Sequence, residues 1–207
     1  LIITLGCSKN LVESEQLITQ LKSNGIEVSY NKELSDEKTV IINTCGFIND
    51  AKKESIDTIL LYADAKNKGI IDNLIVFGCL TQLYKDELKK LITEIDEIFG
   101  TNNINQIIEY LHFKYNKDFS DKRFITTPSH YAYLKISDGC NRKCTFCAIP
   151  TIKGKYKSVP IEKLISEAEY LAANGVKELI LVGQDTSVYG IDIYGKNTLA
   201  SLLEKLS

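Results

Sequence analysis

Methionine and tryptophan are absent from the 207-residue chain, histidine occurs only twice and proline three times. A complete chain opens on methionine, so this one is expected to be trimmed; omission of modified methionines from the sequence is the other reading. The two histidines, His112 and His130, are assigned no role. No apolar run approaches the roughly 20 residues that cross a bilayer, and no charged, apolar and small leader opens the chain. Cytoplasm is therefore the expected compartment, with no membrane partner. Neither sign of charge dominates: the net charge of -2 excludes a strongly basic nucleic-acid binder but not a local basic patch. What is present is ordinary. At 44% hydrophobic and 25% charged residues, the composition excludes disorder and low complexity, and the length admits one large domain or two small ones.

Residues 1–111 read as strand alternating with helix. Apolar runs at Leu1–Leu5, Ile26–Tyr30, Val40–Ile42, Leu74–Phe77 and near Ile98 predict strands. Helices are predicted from about Ser14 to Asn24 before Gly25, along Ile56, Ile59, Leu60 and Ala63, around Leu83, Leu88 and Leu91, and over Ile104–Leu111. Such alternation predicts an α/β fold, an open parallel sheet covered on both faces. Residues 112–130 are polar, charged and aromatic and read as a linker. A second βα series then starts at Tyr131–Ile136. Its helix opens at Pro160 and stops at Gly175, a strand follows at Glu178–Val182, and a last helix runs over Leu199–Leu206. Two βα units cannot close a barrel, so the domain over 131–207 is expected to be truncated.

Six cysteines carry most of the information. The alternating α/β pattern is that of a cytosolic chain with reduced thiols, so metal binding, catalysis or burial are the candidate uses. Cys140, Cys144 and Cys147 form a C-x3-C-x2-C run that follows a strand and lies between Gly139 and Pro150, which predicts a loop. One loop with three thiolates can hold three corners of an iron–sulfur cube and leave the fourth iron open to a ligand. Zinc is the rival, although a structural zinc site takes four ligands and no fourth Cys or His is near. The spacing could also place three small residues on one helix face.

Cys7, Cys45 and Cys79 are scattered in sequence, yet each stands just beyond an apolar strand: LIITLG-C, TVIINT-C and LIVFG-C. In a parallel sheet those strand ends share one edge, where ligands bind, so the three thiols are expected to converge. The alternative is three inert buried thiols. Gly183, Gln184 and Asp185 end a later strand on the same edge as the C-x3-C-x2-C loop and could face a cofactor or make an ordinary turn. Phe146, between two candidate ligands, could flank a ligand ring or merely shield the site. The Lys153–Lys157 stretch could meet phosphate or be a solvated loop.

The C-x3-C-x2-C loop with an aromatic residue before its last cysteine, followed by βα units, resembles the radical S-adenosylmethionine superfamily. Adding an N-terminal α/β domain with three dispersed cysteines narrows the resemblance to its methylthiotransferases. Leu5-Gly6-Cys7-Ser8-Lys9-Asn10, Asn43-Thr44-Cys45-Gly46-Phe47-Ile48 and Gly183-Gln184-Asp185-Thr186-Ser187 resemble the branch that modifies a ribosomal protein more than the tRNA-modifying branch. The resemblance implies a partial TIM-like barrel after the N-terminal domain, and two [4Fe–4S] clusters. The one on Cys140, Cys144 and Cys147 binds and reductively cleaves S-adenosylmethionine. The auxiliary one, on Cys7, Cys45 and Cys79, carries the sulfur to be inserted. A 5′-deoxyadenosyl radical then takes hydrogen from the β-carbon of an aspartate in the twelfth small-subunit ribosomal protein, free or in the assembled subunit, and a second S-adenosylmethionine supplies the methyl group.

The resemblance further implies that Phe146 lies near the adenine and that Gly183 and Gln184 lie near the methionyl amino group. An unidentified electron donor is a required partner. No acid–base residue is assigned a catalytic role, because an unactivated C–H bond offers no acidic proton and the cofactors carry the hard step. The family's remaining barrel strands and small C-terminal β-barrel are expected to lie outside these 207 residues. Methylthiolation of a tRNA adenosine and a non-catalytic zinc or iron–sulfur module are the competing expectations.

Overall fold

The computed structural model describes residues 1–207 and divides into two compact units, Leu1–Asn116 and Lys117–Ser207. In the first, strands β1 (Ile2–Thr4), β2 (Thr39–Thr44), β3 (Asn73–Gly78) and β4 (Glu97–Ile98) form a parallel sheet in that order. Helices α1 (Ser8–Ser23), α2 (Asn49–Asn67), α3 (Cys79–Leu91) and α4 (Ile104–Tyr110) cover it. Successive strand residues face opposite ways, so a strand buried on both sides must be apolar throughout. Val40, Ile42, Leu74 and Val76 pack under Ile59, Tyr62 and Ala63 of α2 and Leu80 and Leu88 of α3. Ile41, Ile75 and Phe77 pack on the other face under Leu17, Ile18 and Leu21 of α1 and Ile107 and Ile108 of α4.

Several local expectations are corrected. Helix α1 begins at Ser8 rather than near Ser14, because its first turn is polar and carries no apolar period. On α2, Ile59 is buried while Ile56 and Leu60 are 38% and 48% exposed, and Leu91 of α3 is 80% exposed, so the apolar stripes are narrower than read. The strand expected over Ile26–Tyr30 is a single parallel bridge, Ile2 to Tyr30, on the outer side of β1. Its ladder stops because Asn31, at φ 42°, turns and offers its side-chain Oδ1 to the Thr4 N–H at 2.7 Å. That bridge still fixes the topology. The chain leaves β1 for the outer edge through α1, then returns to β2 and proceeds through α2 in the opposite direction. The crevice between β1 and β2 is thus a topological switch point, the place where open α/β sheets bind ligands.

The second unit pairs β5 (Tyr131–Lys135) in parallel with β8 (Glu178–Val182) and adds an antiparallel ribbon of β6 (Ser137–Asp138) and β7 (Lys157–Ser158). Short α5 (Ile149–Lys153), α6 (Ile161–Ala173), short α7 (Ile191–Tyr194) and α8 (Leu199–Leu206) complete it. Leu134, Ile136, Ile161, Leu164, Tyr189 and Leu202 form its main core. No helix is long and apolar enough to cross a membrane.

The 112–130 stretch packs at both ends. Phe113 and Tyr115 close the α1–α4 side of the first core, and Ile125 packs in the second unit. Arg123, 2% exposed, makes a 2.9 Å ion pair with Glu167 and donates to the Tyr133 carbonyl. Removing one partner of a buried pair strands the other charge at a cost of about 3–5 kcal/mol. Arg123→Ala is therefore expected to lower the thermal unfolding midpoint sharply. An unchanged melting curve would rule out a structural role for the pair.

Candidate metal centres

The sheet gathers the three dispersed cysteines on its carboxyl edge. Cys45 and Cys79 follow Thr44 and Gly78, which are register partners on adjacent strands. Neighbouring strands run about 4.8 Å apart, so the residues just beyond them are neighbours too. Gly6, at φ 92°, lies so close that a Cβ there would stand 2.6 Å from Cys45 Cβ and 2.9 Å from its Sγ. Only glycine lets the Gly6–Cys7 turn lie against Cys45. Cys7 is exposed at the N-terminus of α1, whereas Cys45 and Cys79 are each 8% exposed, Cys79 as the first residue of α3. Both helix N-termini favour negative charge beside them. The three follow adjacent strands, β1, β2 and β3, on one edge of the sheet.

Asn10, fully buried, ties the three strand ends together. Its Nδ2 donates to the carbonyls of Leu5 and Thr44 at 2.9 and 3.1 Å, and its own carbonyl accepts from Asn43 Nδ2 at 2.9 Å. Two carbonyl acceptors on one side fix the amide's orientation, leaving Oδ1 to face Cys79 Sγ at 3.8 Å. Ser55 braces Cys45 by accepting from its N–H and donating to its carbonyl, both at 3.0 Å. Sequence patterning missed both residues, because a buried Asn or Ser has no periodic signature; the polar start of α1 was the available sign.

Cys140, Cys144 and Cys147 lie in an irregular loop, as expected, and line one cavity of about 360 Å³ with Arg142, Ile149, Gln184 and Asp185. Small-molecule pockets span roughly 300–1,000 Å³. The loop is held at its start: Cys140 N–H donates to the Gly154 carbonyl at 3.2 Å, and Asn141 Oδ1 accepts from Tyr156 N–H at 3.0 Å. Gly139, at φ 71°, must be glycine, since a Cβ would meet the Lys155 carbonyl at 2.2 Å. The side-chain nitrogen and oxygen of Gln184 are both buried without a partner, a costly state that a polar ligand in the cavity would relieve. Gly183 backs onto Ser137 and does not line the cavity. Phe146 is 92% exposed and does not line it. Asp185, which follows the strand end with Gly183 and Gln184, forms a 2.6 Å ion pair beside the cysteines with Arg142, a residue the sequence reading did not single out. The hydrogen bond from Arg142 holds the Asp185 carboxyl below the usual range, and Asp185 in turn raises the guanidinium.

No three Cys, His, Asp or Glu side chains are drawn around a single-ion position.

Residues 1–100 match the model described as "Uncharacterized protein family UPF0004", and residues 134–203 that of the radical SAM superfamily. A radical S-adenosylmethionine methyltransferase from Kitasatospora setae, TsrM, solved with tryptophan and a SAM analogue, superposes with a TM-score of 0.63. That match covers 99% of this chain and 50% of the other at 11% identity, a likeness of fold alone. The class is thus a radical SAM protein with an N-terminal α/β domain.

Among curated relatives, the ribosomal protein uS12 methylthiotransferase RimO of Cytophaga hutchinsonii is 52% identical, matching 100% of this chain and 47% of its own length. Those of Flavobacterium johnsoniae and Chlorobium luteolum are 51% and 47% identical, with 47% and 46% of their lengths covered. The chain spans about half the length of these relatives, and it belongs to the radical SAM methylthiotransferase family, on the RimO branch.

Proposed function

We propose that this chain forms the cluster-bearing part of an enzyme that methylthiolates the β-carbon of an aspartate in ribosomal protein uS12. One observation carries the reading. Two separate trios of free cysteines, one on a sheet edge at a switch point and one around a loop cavity, coexist in a chain about half identical to enzymes named for that reaction. Cys140, Cys144 and Cys147 would hold one [4Fe–4S] cluster, and Cys7, Cys45 and Cys79 the auxiliary one. Together with S-adenosylmethionine, the clusters supply one-electron chemistry and a sulfur source for an unreactive C–H bond.

The residues of the chain have supporting tasks. The Cys140–Cys147 loop offers three thiolates and no fourth, which leaves one coordination position for a ligand. The unpartnered Gln184 amide, able both to donate and to accept, suits the amino or carboxylate group of that ligand. Gly183 lets strand β8 end close to Ser137, which brings Gln184 to the cavity. Phe146, free of the protein's own packing, is available to cover a bound adenine ring. Asn10 and Ser55 hold the strand ends that present the other trio. A reducing, cytoplasmic setting and an electron donor complete the requirements, since every ligand thiol must stay reduced.

The discriminating test is product analysis. The anaerobically reconstituted protein, incubated with S-adenosylmethionine, a reductant and either small ribosomal subunits or bulk tRNA, is expected to add one methylthio group to uS12. Mass spectrometry of the uS12 peptides reads the result. Modification of tRNA adenosine with untouched uS12 would transfer the assignment to the other branch.

A further inference from the structure

The loop that carries Cys140, Cys144 and Cys147 has almost no regular structure, and its backbone anchors hold only its beginning. Asn141 and Cys140 tie it to the segment around Gly154–Tyr156. The far wall of the cavity is built by residues just past β8, Gln184 and Asp185. Arg142 spans the two walls. Its Nε donates to Asp185 Oδ2 at 2.6 Å and its terminal nitrogen to Ser187 Oγ at 3.4 Å, across 43 and 45 residues of sequence. Asp185 is itself aimed by Ser187, whose Oγ and N–H donate to Asp185 Oδ1 at 2.5 and 3.2 Å. The Arg142 N–H also donates to Cys140 Sγ at 3.4 Å.

We infer that Arg142, Asp185 and Ser187 form a latch that sets the separation between the three cysteine ligands and the Gln184 wall, and that balances charge beside the cluster. The inference rests on the proposed function and deepens it: Arg142 and Asp185 are positioning residues. The Arg142 side chain is 61% exposed, so the pair contributes little to stability by itself, and its removal leaves the fold in place. Its effect is local. Arg142 lies between two ligand positions in sequence and lines the same cavity as Cys140, Cys144 and Cys147. Asp185 cancels that positive charge.

The two functions separate experimentally because they have different signs. In a Cys7→Ala, Cys45→Ala, Cys79→Ala background, the loop cluster is the one remaining, and electron paramagnetic resonance reads it alone. Arg142→Gln leaves Asp185 uncompensated and is expected to lower the midpoint potential; Asp185→Asn leaves the guanidinium uncompensated and is expected to raise it. The double variant Arg142→Gln, Asp185→Asn restores neutrality and is expected to return the potential to that of the parent. Affinity for S-adenosylmethionine, read from the spectral change it induces, is expected to fall about tenfold in all three, since the charge-assisted ion pair is lost in each and a neutral hydrogen bond is the most that can replace it. A loaded parent whose variants match it in potential and affinity overturns the latch alone. A parent that takes up no four-iron cluster in this loop overturns the proposed function and the latch with it.

Discussion

Replacing Cys7, Cys45 and Cys79 together with alanine is expected to reduce the iron content from about eight to about four per chain after anaerobic reconstitution. The same variant is expected to keep reductive cleavage of S-adenosylmethionine while forming no methylthiolated product. The physical ground is that the two trios belong to different units, Leu1–Asn116 and Lys117–Ser207, each with its own core. Cys45 and Cys79 are small, 8% exposed side chains, so alanine removes the sulfur and leaves the sheet edge standing. The converse replacement of Cys140, Cys144 and Cys147 is expected to keep about four irons and to abolish cleavage altogether. Iron and sulfide analysis with a 5′-deoxyadenosine assay reads both arms. A parent with about four irons, or an early-cysteine variant that loses all of them, would end the two-centre proposal.

A single buried amide should matter nearly as much. Asn10→Ala removes the donor for the Leu5 and Thr44 carbonyls, and each orphaned buried carbonyl costs about 1–3 kcal/mol. It also releases the strand ends from one another, so the early trio is expected to lose its iron while the loop trio keeps its own. Asn10→Asp is the sharper variant. It preserves shape, but an ionised carboxylate has no hydrogen to donate and would point an oxygen at two carbonyls. The isosteric change is therefore expected to destabilise at least as much as truncation, the reverse of what a packing role predicts. Thermal melts and iron analysis of the two variants decide between them: an aspartate that behaves like the parent would show that the hydrogen bonds are dispensable.

The cysteines were legible because their positions follow from local rules. A run such as Leu74–Phe77 has to be a strand buried on both faces, its end has to lie on the carboxyl edge, and so Cys79 has to lie there as well. The loop trio follows from spacing inside nine residues between Gly139 and Cys147. The Ile26–Tyr30 segment was harder. Its pattern marks a strand, but whether the ladder continues depended on Asn31 turning to take the Thr4 N–H, a choice made between residues far apart in sequence.

By itself, then, the sequence determined the alternation of strands and helices, the edge on which Cys7, Cys45 and Cys79 emerge, and the loop that carries the other three. Periodicity and turn residues act over a few positions, and that range suffices for such features. The tertiary structure decided which polar groups surround those cysteines: Asn10 beneath three strand ends, Arg142 reaching Asp185 across 43 residues, and Gln184 left without a partner. Hydrogen bonds and ion pairs between distant segments leave no period in the sequence, because they depend on where the packed elements bring donors and acceptors within about 3 Å of each other.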